Sequence, residues 1–344
     1  MPSKGPHFGM ADYRSSVTIK GKTYPIPRVY RIAAIDLGSN AVRMAVAEAY
    51  SPYFFVPLKG TRKPLRLGEN VFTDGKITYR KMRQAAKYFR RFRETLDKYK
   101  VDYHFAVGTS ALRDAKNRNE FIELIKNDSN ISLNVIDGAM EADLIYKAIT
   151  NTVDFEDKNT LLLDIGGGSI ELTYIEHGKR KASTSLQIGT VRSLELMKRQ
   201  GIREWDVDEF IGGYRDEVKK FLSQKTTGKG IQMMVGTGGN IERFAKLRSY
   251  FKQTREDNFL DRQSLEQIRM VLGALTAEER MHNFRLKPDR ADVIIPAGAI
   301  LSMVMQEAGC KNMHVPKVGL RDGVLYQMSE NLAHDFAPGH SLQK

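Results

Sequence analysis

Leu161-Leu162-Leu163-Asp164-Ile165-Gly166-Gly167-Gly168-Ser169-Ile170-Glu171 is the stretch on which the reading of this chain turns. Apolar residues run into an aspartate, then three glycines, a hydroxyl and a second acid. An apolar run bounded by glycine reads as a buried strand ending in a tight turn. Glycines lack side chains, so the backbone N–H groups of Gly166, Gly167 and Gly168 can close on an anion the size of one phosphate. Asp164 and Glu171 flank the turn and suit a magnesium ion that accompanies phosphate, not the phosphate itself. A glycine-rich hairpin with two solvated acids fits the same letters, so the stretch alone leaves both readings open.

The unit occurs twice. Ile32–Ile35 forms a short apolar strand that runs into Asp36-Leu37-Gly38-Ser39-Asn40, and a second strand follows over Val42–Ala47. Aligning Asp36 with Asp164 puts Gly38 on Gly166, Asn40 on Gly168 and Arg43 on Glu171. A second pair agrees. Ala106-Val107-Gly108-Thr109-Ser110-Ala111 resembles Met234-Val235-Gly236-Thr237-Gly238-Gly239, and both spacings are equal (108 − 36 = 236 − 164 = 72). A repeat of this length predicts two similar α/β domains facing each other, with ligand in the cleft between them.

Between the motifs the signals alternate. Met82, Ala85, Ala86, Phe89, Phe92 and Leu96 recur at helical spacing, which predicts an amphipathic helix over 78–99. Its other face carries Arg80, Arg83, Lys87, Arg91 and Lys98; this is either a solvated face or a track for a polyanion. A helix at 117–127 and a strand at 133–136 lead to Asp137-Gly138-Ala139-Met140-Glu141, a turn opening a helix. Glu141 falls in the first turn, where the helix dipole favours an acid, and it is equally placed to act as a base at the cleft mouth. The segment 152–159 links the halves. In the second half helices are expected at 190–200, 208–222, 240–248, 263–274, 277–282 and 290–308, with strands at 231–235 and 313–315. A last helix runs from 319 to 331, and a tail follows 334. Residues 1–30 read as an appendage with a small hairpin over Val17–Tyr24. The expected division is therefore 1–30, 31–153, 160–318 and a helical segment 319–334 that packs back on the first domain.

Composition bounds the class. With 344 residues, 41% hydrophobic and 28% charged, the chain is globular and longer than one ordinary core supports. No apolar run approaches the roughly 20 residues that cross a bilayer, and the N-terminus lacks the apolar segment of a secretory signal. The single Cys310 excludes an internal disulfide and a cysteine metal cage. A cytoplasmic protein is expected, with no membrane partner. A net charge of +13 attracts polyanions without saying which.

In order, the motifs IDLGSNAVRM, GTSALRDAKNRNEF, DGAMEADLIY, LLLDIGGGSIEL, LQIGTVRSLE, VGTGGNIERFA, RADVIIPAGAIL and VGLRDGVL resemble those of the exopolyphosphatase / guanosine pentaphosphate phosphatase (Ppx/GppA) family. The resemblance runs from Arg31 to Tyr326 and implies the short, two-domain type. It implies two ribonuclease-H-like α/β domains of the actin-like ATPase and sugar-kinase superfamily, with an interdomain cleft. It implies magnesium-dependent removal of the terminal phosphate of inorganic polyphosphate, or of the 5′ γ-phosphate of guanosine pentaphosphate. Glu141 then takes the place of the base, with Glu171 orienting water, and Asp36, Asp164 and Glu171 become the metal carboxylates. Phosphate contacts are implied for Gly38, Ser39, Asn40, Arg43, Thr109, Ser110 and Arg113. In the second half they are implied for Gly166, Gly167, Gly168, Ser169, Gly236, Thr237, Gly238 and Gly239. Met140 departs from the usual paired glutamates, and Ala41 stands where a hydroxyl is common. A homodimer is expected and specific nucleic-acid binding is not. Two other readings stay in view: a phosphotransferase on the same scaffold, and a polyanion- or alarmone-binding regulator with little turnover. Longer relatives carry further helical domains where this chain ends, which shifts the expectation toward short chains, guanosine pentaphosphate, or a channel shared by two subunits.

Overall fold

A computed structural model describes residues 16–19, 22–25, 29–155, 157–225 and 230–332. The expected tail after 334 and most of the N-terminal appendage lie outside them. The expected hairpin is formed by β1 (Ser16–Ile19) and β2 (Lys22–Pro25), with Val17 opposite Tyr24.

The first sheet contains β3 (Tyr30–Leu37), β4 (Ala41–Ser51), β5 (Phe54–Pro64), β6 (Tyr103–Gly108) and β7 (Leu133–Val135), in the order β5-β4-β3-β6-β7. β3, β4 and β5 are antiparallel neighbours, whereas β6 and β7 add in parallel. The second sheet contains β8 (Thr160–Ile165), β9 (Ile170–Glu176), β10 (Lys179–Leu186), β11 (Met233–Thr237), β12 (Phe259–Asp261) and β13 (Asn312–His314). Its order, β10-β9-β8-β11-β13-β12, repeats that of the first sheet and adds one edge strand. These are two ribonuclease-H-like domains.

Pattern explains which helix covers which face. In the Tyr79–Lys98 helix, Met82, Ala85, Ala86, Phe89, Phe92 and Leu96 are all buried, against Ile35, Val42 and Met44 of the first sheet. The Gly138–Thr150 helix is apolar around most of its circumference, as a helix buried on several sides must be. Its Leu144 joins the cluster of Ile32 and Ala34 in the first sheet, while Ile145 and Ile149 join Leu162, Ile175 and Val235 in the second. One helix is thus wedged between the two sheets, and it carries Glu141 at its start. The Leu320–Asn331 helix lies beside it and against β3 and β4.

Several segments differ from the sequence expectation. The helix expected over 208–222 is two, Val207–Gly212 and Arg215–Lys225, interrupted at Gly213. The helix expected over 290–308 also divides, into Pro288–Ala291 and Ile294–Glu307. There the Asp292 carboxylate accepts from Val293 N (2.8 Å) and pairs with Arg66, so its side chain interrupts the helix. β5 and β10 were not expected: FFVPLKGTRKP is broken by prolines and a glycine, and KRKASTSL is polar throughout. Both are edge strands, where such residues are tolerated.

Arg280 is fully buried and ties three segments together. It donates to Leu272 O (2.8 Å), Ala291 O (3.1 Å) and the Glu204 carboxylate (2.6 and 3.3 Å). A tighter constraint lies at Gly323, where a Cβ would overlap the Leu144 carbonyl. Gly323→Ala therefore cannot be absorbed without parting the two central helices. We expect it to lower stability by about 3 kcal/mol, read from denaturant unfolding of the variant beside the wild type.

Candidate active site

The two repeated turns are built alike. Gly38 N donates to Ala41 O (3.1 Å), and Gly166 N donates to Ser169 O (3.0 Å). In the strand pairs that flank them, Asp36 stands opposite Arg43 and Asp164 opposite Glu171. The equal 72-residue spacing does not give equal register with the parallel strand. Asp36 faces Val107, whereas Asp164 faces Thr237 (107 − 36 = 71; 237 − 164 = 73). The Thr237 hydroxyl accordingly donates to Asp164, and Asp36 instead accepts from Arg43 Nη1 (2.9 Å).

The turns touch each other. A Cβ on Gly167 would lie 2.9 Å from Ser39 Cβ and 3.2 Å from Asn40 N. The second glycine of the triplet is therefore required by contact with the opposite turn, beyond any approach to an anion. Arg192 joins the halves behind this contact. Its Nε donates to Gly168 O (2.6 Å), and its Nη2 donates to Ser110 Oγ (3.1 Å) and Asp114 Oδ2 (2.7 Å). The Phe72 ring lies 4.0 Å from its guanidinium carbon.

Between the turns is a cleft of about 310 Å³. Its first wall is formed by Asp36, Gly38, Ser39, Asn40 and Arg43, with Thr109 and Ser110 beside them. The second wall is formed by Asp164, Gly166, Gly167, Gly168 and Ser169, with Gly238 and Gly239. Gly238 has φ +105°, backbone that a side chain rarely adopts. Glu141 also lines the cleft. Its carboxylate accepts from Arg113 Nη1 (2.9 Å), and the same nitrogen donates to Ile136 O (2.7 Å). Asp137 caps the helix through Met140 N (2.8 Å), which fixes where Glu141 begins.

Four of the residues singled out from sequence do not line the cleft. Arg113 is turned toward Glu141 and the Ile136 carbonyl. Gly236 has no room for a Cβ because Met313 and Ile241 pack on it. Thr237 is spent on Asp164. Glu171 lies buried behind the wall, where Ser185 Oγ donates to its Oε1 (2.9 Å) and its Oε2 has no partner.

Burial dominates the electrostatics. It lifts the Glu141 carboxyl above the usual range against the pull of Arg113, with Asp164 and Asp36 adding to the rise. It raises Asp164 to about 6, opposed by the Thr237 hydrogen bond and by Arg43. Glu171 is pushed well up by burial and then by the charges of Glu141 and Asp164. A cation placed among these groups would reverse all three shifts.

Cations to which the sequence reading gave no role stand at the mouth. Arg62 and Arg290 line the cleft with Arg43. Arg290 donates to Gly239 O (2.5 Å) and is lowered to about 10, first by burial and then by Arg62 and Arg43. Arg62 pairs with Asp289, and Arg66 makes a two-pronged pair with Asp292 (2.5 and 2.6 Å). Asn40 Nδ2 donates to Asp289 O (2.9 Å). The Pro288–Ala291 turn thus bridges the mouth from one domain to the other.

Two ribonuclease-H-like domains that clasp a phosphate-sized cleft define a protein of the actin-like ATPase superfamily. The sequence pattern of the Ppx/GppA phosphatase family matches residues 46–332, and the chain belongs to that family. It is 29% identical over 316 residues to the guanosine-5′-triphosphate,3′-diphosphate pyrophosphatase of Aliivibrio fischeri, covering 91% of this chain and 62% of that one. It is 23% identical to exopolyphosphatase 1 of Mycobacterium leprae, over 89% of this chain and 92% of that one. The crystal structure of an exopolyphosphatase from Cytophaga hutchinsonii superposes with a TM-score of 0.79 at 27% identity, covering 88% of this chain and 98% of that one. The chain therefore spans about three fifths of the A. fischeri relative and nearly the whole of the other two.

Arg192 holds the two halves together through three hydrogen bonds. Arg192→Ala would leave Gly168 O and Asp114 without their donors and part the turns. We expect a loss of about 3 kcal/mol, measured by chemical denaturation, with Arg192→Lys recovering only part because it lacks the fork.

Proposed function

We propose that the cleft hydrolyses a terminal phosphoanhydride, either of inorganic polyphosphate or at the 5′ end of guanosine pentaphosphate. The observation that carries this reading is the convergence of Glu141, Arg43 and the two glycine turns on one small cavity. The family membership supports it, as do relatives named for both substrates.

In the proposed reaction the terminal phosphoryl group sits between the turns. Backbone N–H groups and Arg43 neutralise its equatorial oxygens, the main need of phosphoryl transfer. Glu141 orients a water and takes its proton as the oxygen attacks phosphorus. The bridging P–O bond breaks, and that oxygen leaves with the shortened chain. Arg113 holds the Glu141 carboxylate in place rather than touching substrate.

The donor set fits a magnesium ion shared between protein and substrate. Among the described residues no three acids or imidazoles stand close enough to cage a cation, and Asp36 is engaged by Arg43. Asp164, on the cleft wall, would supply a carboxylate and substrate oxygens the rest, as magnesium prefers, while the unpartnered Oε2 of Glu171 behind that wall would reach the ion through a water. When bound, such an ion neutralises charge on the phosphate oxygens. We take residues 31–153 and 160–318 as the two domains, with the C-terminal segment from 319 packed back on the first through its Leu320–Asn331 helix.

A phosphotransferase would need an acceptor, so release of inorganic phosphate with no acceptor present separates the two. The deciding experiment compares phosphate release from long polyphosphate, tripolyphosphate and guanosine pentaphosphate in parallel. Glu141→Gln is expected to lower kcat by about two to four orders of magnitude while calorimetry still detects tripolyphosphate binding. Near-normal turnover in that variant removes Glu141 from the mechanism.

A further inference from the structure

Arg80, Arg83, Lys87 and Arg91 are exposed on the Tyr79–Lys98 helix. Their spacing of three, four and four residues sets them in one stripe. Among the described residues none of the four makes an ion pair. Neighbours off the stripe do: Arg90 pairs with Asp128, and Arg93 with Asp97. Glu69 feels Arg80 through space, but its partner is Lys81.

Solubility alone does not explain the arrangement. Like charges three or four residues apart repel one another. The first turn holds no acid, so Arg80 stands against the positive end of the helix dipole. A local rule broken without a compensating contact marks a place where something outside the chain supplies one.

The helix that carries the stripe starts behind the first cleft wall. Lys81 Nζ donates to Leu65 O (2.8 Å), and Leu65 N donates to Asn40 O (3.2 Å), Asn40 being part of the cleft wall. From Arg80 to Arg91 the helix then rises roughly 16 Å. Binders of single-stranded nucleic acid interleave aromatic platforms with their cations. Here the stripe has one ring, Tyr79, with the Arg83 guanidinium already over it (5.9 Å to the ring centre). Charge without a row of rings fits a chain that is all phosphate.

We propose that this stripe is an exosite for the trailing part of a long inorganic polyphosphate whose end occupies the cleft. The inference rests on the cleft reading above and adds chain length to it.

The test combines Arg80→Gln, Arg83→Gln, Lys87→Gln and Arg91→Gln, which keeps helix-forming residues and leaves the cleft untouched. Retention of end-labelled polyphosphate is measured across a salt series with magnesium present and Glu141→Gln added to both proteins, so turnover is suppressed. Affinity for long polyphosphate should fall on the order of a hundredfold. The log–log salt slope should become shallower by about three, four contacts at about 0.7 each. Tripolyphosphate, too short to reach the stripe, should bind as it does to the wild type. Unchanged affinity for the long chain overturns the exosite. A single-stranded RNA of matched charge that binds as tightly, and is lost in the same variant, overturns polyphosphate as its occupant. An error in the cleft reading shows separately, as wild-type protein that does not hold tripolyphosphate.

Discussion

Four carboxyl groups are buried around one cleft with two guanidinium partners between them. Asp36 has Arg43 and Glu141 has Arg113, whereas Asp164 and Glu171 accept from the hydroxyls of Thr237 and Ser185 and make no direct ion pair among the described residues. A buried acid without a cation is costly, and such groups answer by holding their protons. The fold keeps them together because the elements carrying them have little freedom. Two come from the strands flanking the second turn, one from the strand before the first, and one from a helix wedged between both sheets. Ionised together, these acids carry more negative charge than their two guanidinium partners offset, so the cluster favours a cation.

The second constraint is the contact between the turns. Gly167 against Ser39, and Arg192 from Gly168 to Asp114, fix the distance across the cleft floor. At the mouth the domains are joined differently, by Arg62 and Arg66 on one side and Asp289 and Asp292 on the other. Guanidinium groups at the mouth and acids at the floor make a site with opposite signs at its two ends.

The duplication explains how one scaffold provides both signs. At equivalent positions opposite the strand aspartates, the first unit carries Arg43 and the second Glu171. A two-residue difference in the parallel register then gives Asp164 a hydroxyl partner that Asp36 lacks. The two strand–turn–strand units thus carry opposite charges at equivalent positions, Arg43 at the cleft and Glu171 buried behind its wall.

What could be read from the sequence was whatever is local. The glycine turns, the helix carrying Glu141 and the amphipathic 79–98 helix announce themselves through spacing and capping, because the backbone there is decided within a few residues. Arg62, Arg192 and Arg290 did not, since each reaches the site through contacts 50 to 230 residues away in the chain. Arg113 shows the limit most clearly. By residue type it belongs with Arg43 as an anion ligand, and both are arginines next to a glycine-containing turn. Arg43 extends from a strand whose neighbour ends in Asp36, so its guanidinium stays at the cleft. Arg113 lies near the end of the short Ser110–Asp114 helix, opposite the start of the Glu141 helix. There the Ile136 carbonyl and the Glu141 carboxylate capture it before any substrate can. The same letter therefore stays open to the cleft at one position and is held on Glu141 at the other, and tertiary packing alone decides which.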